Sequence, residues 1–135
     1  MKLLIDANIL LDVLQNRAGF VEDSSLVWKL CETGQAEGFV SVLTFANLVY
    51  VMRKELAPEK IEEVCKLLSL IFHFADFSVS DMNRAAEMKW KDFEDAIQSA
   101  SATRIKANYI VTRNIKDFSE SKVTAIKPTE LLDRI

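Results

Sequence analysis

Histidine is nearly missing from this 135-residue chain, which has one, and cysteine is scarce, with two. Cys31 and Cys65 lie far apart with no histidine beside them, so neither a zinc site nor a redox pair is suggested. Both read as buried small apolar residues. The single histidine, His73, falls between Phe72 and Phe74 in a predicted strand and reads as structural or surface-lying. With only three glycines and two prolines there is no linker, low-complexity tract or disordered tail, and residues 1–135 are expected to form a single domain. A chain of this length buries roughly two-thirds of the surface its unfolded form exposes, enough for a real core. Long apolar runs are missing too. The longest, Ser41 to Met52, is broken by Thr44 and Asn47, and Asp6 interrupts any signal-peptide core, so no membrane association and a cytoplasmic location are expected. Positive charge is not in surplus: the net charge is −3 and the 17 Lys and Arg are scattered. A polyanion would therefore need a local basic rim.

What the chain does have is half of its residues apolar, patterned in short runs. Leu3-Leu4-Ile5, followed by Asp6, reads as a strand buried on both faces. Ile9, Leu10, Val13 and Leu14 then recur at helical spacing behind Asn8, a suitable N-cap. A second helix is predicted from Glu22 to Glu37, ending at Gly34 or Gly38, and a strand over Phe39 to Leu43. Thr44 is placed to cap a third helix, and Pro58 opens a fourth that runs to Ile71. Phe72 to Phe77 alternates weakly like a strand. Ser80 or Asp81 caps a short helix through Trp90, and Asp92 to Ala107 forms a helix rich in small residues. A strand Tyr109–Thr112, a turn-helix around Asn114 to Phe118, a strand Val123–Ile126 and a helix from Pro128 complete the order. Strands alternating with helices predict an α/β fold: a three-layer α/β/α sandwich on a central parallel sheet of four to five strands.

Acidic and amide side chains gather where these strands end. Asp6-Ala7-Asn8 follows the first strand, in the position where open α/β sheets bind ligands. Asp92 and Asp95, three apart in the opening turn of the small-residue helix, share a face, while Glu94 is expected to point elsewhere. Thr112-Arg113-Asn114-Ile115-Lys116-Asp117 follows a buried strand and aims Asp117 at the same rim. Carboxylates that converge without a counter-charge repel one another, and a divalent cation relieves this. Oxygen donors with no His or Cys point to Mg²⁺ or Mn²⁺.

Three runs, Leu4-Ile5-Asp6-Ala7-Asn8, Asp95-Ala96-Ile97-Gln98-Ser99-Ala100-Ser101-Ala102 and Ile110-Val111-Thr112-Arg113-Asn114-Ile115-Lys116-Asp117-Phe118, resemble the PIN domain family in family order and across nearly the whole chain. That family includes the toxin ribonucleases of bacterial type II toxin–antitoxin pairs. The resemblance implies a Mg²⁺- or Mn²⁺-dependent endoribonuclease that hydrolyses RNA phosphodiester bonds, held in check by a small antitoxin protein and commonly a homodimer. It implies Asp6, Asp95 and Asp117 as catalytic metal ligands. Asp92, one turn before Asp95, would add a ligand or hold a water. Asn8, Asn47, Thr112 and Asn114 would be supporting polar groups; apart from the resemblance, Arg113 and Lys116 flank the proposed site and, with Arg53 or Lys54, could contact phosphates. Trp28 and Trp90 could stack on bases but more often fill a core.

One family position departs. Where PIN domains place a second acid, a Glu three residues after a capping Ser or Thr, this chain has Asn47 after Thr44. An amide offers a carbonyl oxygen but no charge. Asn47 therefore keeps open the alternative of a catalytically weakened PIN-fold module that binds RNA or a protein. Phosphoryl transfer through an aspartyl phosphate also uses an Asp after the first strand. Haloacid-dehalogenase enzymes, however, resemble Asp-x-Asp there, and the third residue here is Asn8.

Overall fold

The computed structural model describes all 135 residues. Five strands, β1 (Lys2–Ile5), β2 (Glu37–Ser41), β3 (His73–Ala75), β4 (Tyr109–Val111) and β5 (Ala125–Ile126), form one parallel sheet in the order β3-β2-β1-β4-β5. The helices are α1 (Ala7–Leu14), α2 (Val21–Glu32), α3 (Val42–Met52), α4 (Pro58–Ile71), α5 (Val79–Met88), α6 (Phe93–Arg104) and α7 (Pro128–Asp133), with a 3₁₀ turn at Ile115–Phe118. The α/β architecture expected from the alternating pattern is the one observed.

The strand alternation explains the layers. Leu3 and Ile5 enter the larger core with Ile9, Leu10, Val27, Val40 and Leu48. Leu4, between them, enters a separate core with Ala102, Ile110 and Phe118. Side chains two apart share a face, so both faces of the central strand are covered, which is why it contains no polar residue after Lys2. Trp28 packs edge-on against Phe72 and Trp90 against Phe118, each half-buried at the margin of a core, and Trp90 keeps one side open.

Several element limits differ from expectation, each for a local reason. The caps sit earlier than predicted. Asp6, not Asn8, caps α1, its carboxylate accepting from the Ala7 amide. Ser41, not Thr44, caps α3: its Oγ accepts from the Thr44 amide at 3.0 Å, which starts the helix at Val42 and shifts β2 back to Glu37–Ser41. Ser78 caps α5 in a capping box with Asp81, in place of Ser80 or Asp81. α2 ends at Glu32, earlier than the predicted Glu37, because the chain turns at Gly34, which has a φ of +78°. Gly38 has a different task. A Cβ there would come within 2.6 Å of Cys31 Sγ and 2.8 Å of Phe72, so β2 lies close beneath α2 only because this residue has no side chain. Cys31 is buried, which pushes its thiol up to about 12, but Cys65 is half-buried.

From β1 the chain moves outward to β2 and β3, then returns to place β4 and β5 on the other side of β1. The strand order therefore reverses between β1 and β4. In open parallel sheets a crevice forms outside the carboxyl ends at such a reversal, with loops diverging on either side. Ile5 pairs with Val111, so the next residues, Asp6 and Thr112, stand side by side at that crevice.

Candidate active site

Asp6 is the most firmly held side chain at this rim. Its Oδ1 accepts from the Ala7 amide at 2.8 Å and from Gln98 Nε2 at 2.9 Å; its Oδ2 accepts from Thr112 Oγ at 2.8 Å and Asn8 Nδ2 at 3.3 Å. Thr112 is fully buried, and its hydroxyl also accepts from the Asn114 amide at 3.1 Å, while Asn8 Oδ1 accepts from the Arg113 amide at 3.4 Å. Four donors from three segments thus fix one carboxylate. Asn8 and Thr112 tie the start of α1 to the loop after β4, and Asn114 contributes to this network through its backbone.

The other acids arrive on α6 and the 3₁₀ turn. Asp92 caps α6, its Oδ1 accepting from the Asp95 amide at 3.1 Å, and so holds the first turn in place. Asp92, Glu94, Asp95 and Asp117 line an open groove of about 1030 Å³, together with Lys89, Trp90, Lys91, Phe93, Lys116, Ser119 and Glu120. The carboxyl of Asp95 is pushed up to about 7, first by its burial and then by the charges of Asp92, Asp6, Asp117 and Glu94. The charges of Asp6, Asp92 and Asp117, named with Asp95 from the sequence, thus act on Asp95 after its burial.

The side chains as they stand form no ready-made cage of three acidic ligands. Their chemistry nonetheless fits a hard divalent cation. The donors are all carboxylate or amide oxygens, the carboxylates repel one another, and Gln98, 6% exposed, has an Oε1 with no hydrogen-bond partner. A cation among Asp6, Asp92, Asp95 and Asp117 would relieve the repulsion.

A family model described as a PIN domain matches residues 2–116. The chain belongs to the PIN domain family. Its fold is also that of solved PIN-type structures. A toxin–antitoxin complex from Klebsiella pneumoniae matches with a TM-score of 0.72 and 22% identity, over 93% of this chain and 96% of that one. VapBC-1 from nontypeable Haemophilus influenzae matches at 0.73 and 17%, over 96% and 99%. The sarcin-ricin loop cleaving toxin VapC20 of Mycobacterium tuberculosis matches at 0.65 and 10%, over 80% and 86%. A search of curated proteins finds no match.

Within this PIN domain not every expected residue reaches the groove. Lys116 lines it, whereas Asp6, Asn8, Asn47, Thr112 and Asn114 are not among its lining residues and Arg113 stands apart. The Arg113 guanidinium is 3.1 Å from the fully buried carboxylate of Asp12 and lies 4.0 Å over the Phe20 ring. A buried charge needs a partner, and Arg113 supplies it. His73 is exposed on the edge strand β3 beside Phe39.

Two groups at the site were not singled out from the sequence. Gln98 follows Asp95 by three residues, a spacing that places both on one helix face, so its contact with Asp6 was open to inference. Glu94, expected to point elsewhere, lines the groove instead and accepts a hydrogen bond from Asn47 Nδ2 at 3.1 Å. The bond joins residues on two elements 47 positions apart, which helical spacing alone cannot reveal.

Proposed function

We propose that this PIN domain is a Mg²⁺- or Mn²⁺-dependent endoribonuclease, the toxin of a type II toxin–antitoxin pair. The observation that carries the reading is the gathering of Asp92, Asp95 and Asp117 on one groove at the sheet reversal, where burial first and then the charges of Asp92, Asp6 and Asp117 push the Asp95 carboxyl up to about 7. Asp6, Asp95 and Asp117 would be the principal ligands, with Asp92 adding a ligand or fixing a water. A bound ion would polarise the scissile phosphate and acidify water. Asn8, Thr112 and Gln98 keep Asp6 in one orientation. Lys116, with Lys89 and Lys91 across the groove, offers contacts to neighbouring phosphates. In the hydrolysis, a water oxygen bonds to phosphorus as the phosphorus–oxygen bond to the leaving ribose breaks. The departing oxygen takes up a proton, and one RNA strand becomes two.

The structural relatives that are toxin–antitoxin complexes support a small antitoxin as partner. Exposed apolar side chains on α3, α4 and α5, among them Tyr50, Leu70 and Val79, offer surface for it or for a homodimer. No helix is long and apolar enough to cross a membrane.

The test is cleavage of mixed single-stranded RNA with Mn²⁺, Mg²⁺ or chelator. The protein should cut only with an ion, and Asp6→Asn and Asp95→Asn should each reduce cutting at least about a hundredfold. A folded natural protein that binds RNA and never cuts would instead favour the binding-module reading that Asn47 keeps open.

A further inference from the structure

The family position for a second acid is Asn47, yet the site has not lost a carboxylate. We propose that Glu94 takes over as the missing acidic ligand and that Asn47 is its positioning residue. This rests on the metal-site reading above and names how this chain completes that site.

The geometry carries the exchange. Asn47 lies in α3 and Glu94 in the first turn of α6, and Asn47 Nδ2 donates to Glu94 Oε2 at 3.1 Å. Glu94 stands in the groove with Asp92, Asp95 and Asp117, and its charge reaches Asp95. A glutamate at 47 would face the carboxylate of Glu94 and be repelled by it. An asparagine turns that contact into a donor–acceptor pair and holds one carboxylate oxygen while the other can meet an ion. The carboxylate that other family members carry on α3 is here carried on α6. An independent group points to the same ligand. Gln98, nine-tenths buried and bonded through Nε2 to Asp6, an acid the ion would use, keeps Oε1 without a hydrogen-bond partner.

The test is calorimetric titration of the purified protein with Mn²⁺, compared across Glu94→Gln, Asn47→Ala, the double variant, Asp95→Asn and a swapped variant, Asn47→Glu with Glu94→Gln. Glu94 is exposed, so its substitution leaves the fold intact, and circular dichroism in chelator verifies this. Glu94→Gln should weaken Mn²⁺ binding at least about tenfold and Asn47→Ala about threefold or more. In the double variant the Asn47 effect should vanish, because the group it positions is gone. The swapped variant should recover most of the lost affinity. If Asp95→Asn abolishes binding while Glu94→Gln binds like the natural protein, the proposal is overturned and the metal site stands. If the natural protein does not bind Mn²⁺, both fall.

Discussion

Asp95 shows how a single side chain reports on its neighbours. In the unfolded chain its carboxyl titrates near the ordinary aspartate value of 3.8, whereas in the folded chain it holds its proton up to about 7. Between those values the folded state binds more protons than the unfolded state, so stability falls as pH rises through this window and the loss is complete above about 7. Because the group is only half-buried, solvent screening reduces the effect to roughly 1–2 kcal/mol. Urea unfolding in chelator should therefore show the natural protein losing more stability between pH 5 and pH 8 than Asp95→Asn does. Equal losses would mean that neither burial nor its acidic neighbours raise the Asp95 carboxyl. Asp6, Asp95 and Asp117 were legible in the sequence because strand ends and helix starts fix where such residues emerge. Glu94 and Gln98 were not, since their roles depend on which other element faces them, and only the sheet order decides that.

Among the elements, α1, α2 and the loop after β4 are clamped by one buried charge. Asp12, on α1 and fully buried, accepts from Ser24 Oγ of α2 at 2.8 Å and pairs with Arg113 of the loop at 3.1 Å, with Arg17 at 3.8 Å. That loop also carries Asn114 and leads to Asp117, so the clamp bears on the site without touching the groove. Removing the carboxylate leaves Arg113 half-buried and unpaired. Asp12→Ala should cost about 3 kcal/mol in a urea melt, at the low end for buried pairs because Arg113 reaches solvent. A change under about 0.5 kcal/mol would show that the clamp contributes nothing. The element order itself was readable from the alternating patterns. The starts of α1, α3 and α5 were misplaced by two or three residues because several Ser, Thr, Asp and Asn compete for each cap, and only backbone geometry selects Asp6, Ser41 and Ser78.

At the scale of the whole molecule the chain is acidic, with a net charge of −3, and so is its groove: Asp92, Glu94, Asp95, Asp117 and Glu120 face Lys89, Lys91 and Lys116. Five carboxylates against three ammonium groups should repel a polyanion until a divalent ion reverses the local sign. RNA affinity should therefore depend on the ion before any bond is cut. In fluorescence anisotropy with single-stranded RNA at low salt, replacing chelator with Ca²⁺, an oxygen-seeking ion that does not require turnover to be read, should tighten binding about tenfold or more. The salt dependence in Ca²⁺ should be shallow, with a logarithmic slope near about −2 if all three lysines meet phosphates. Equally tight binding in chelator would place the RNA elsewhere on the molecule, away from the aspartates. A slope much steeper than that would mean that basic residues outside the groove, such as Arg53 and Lys54 beyond α3, hold the strand instead.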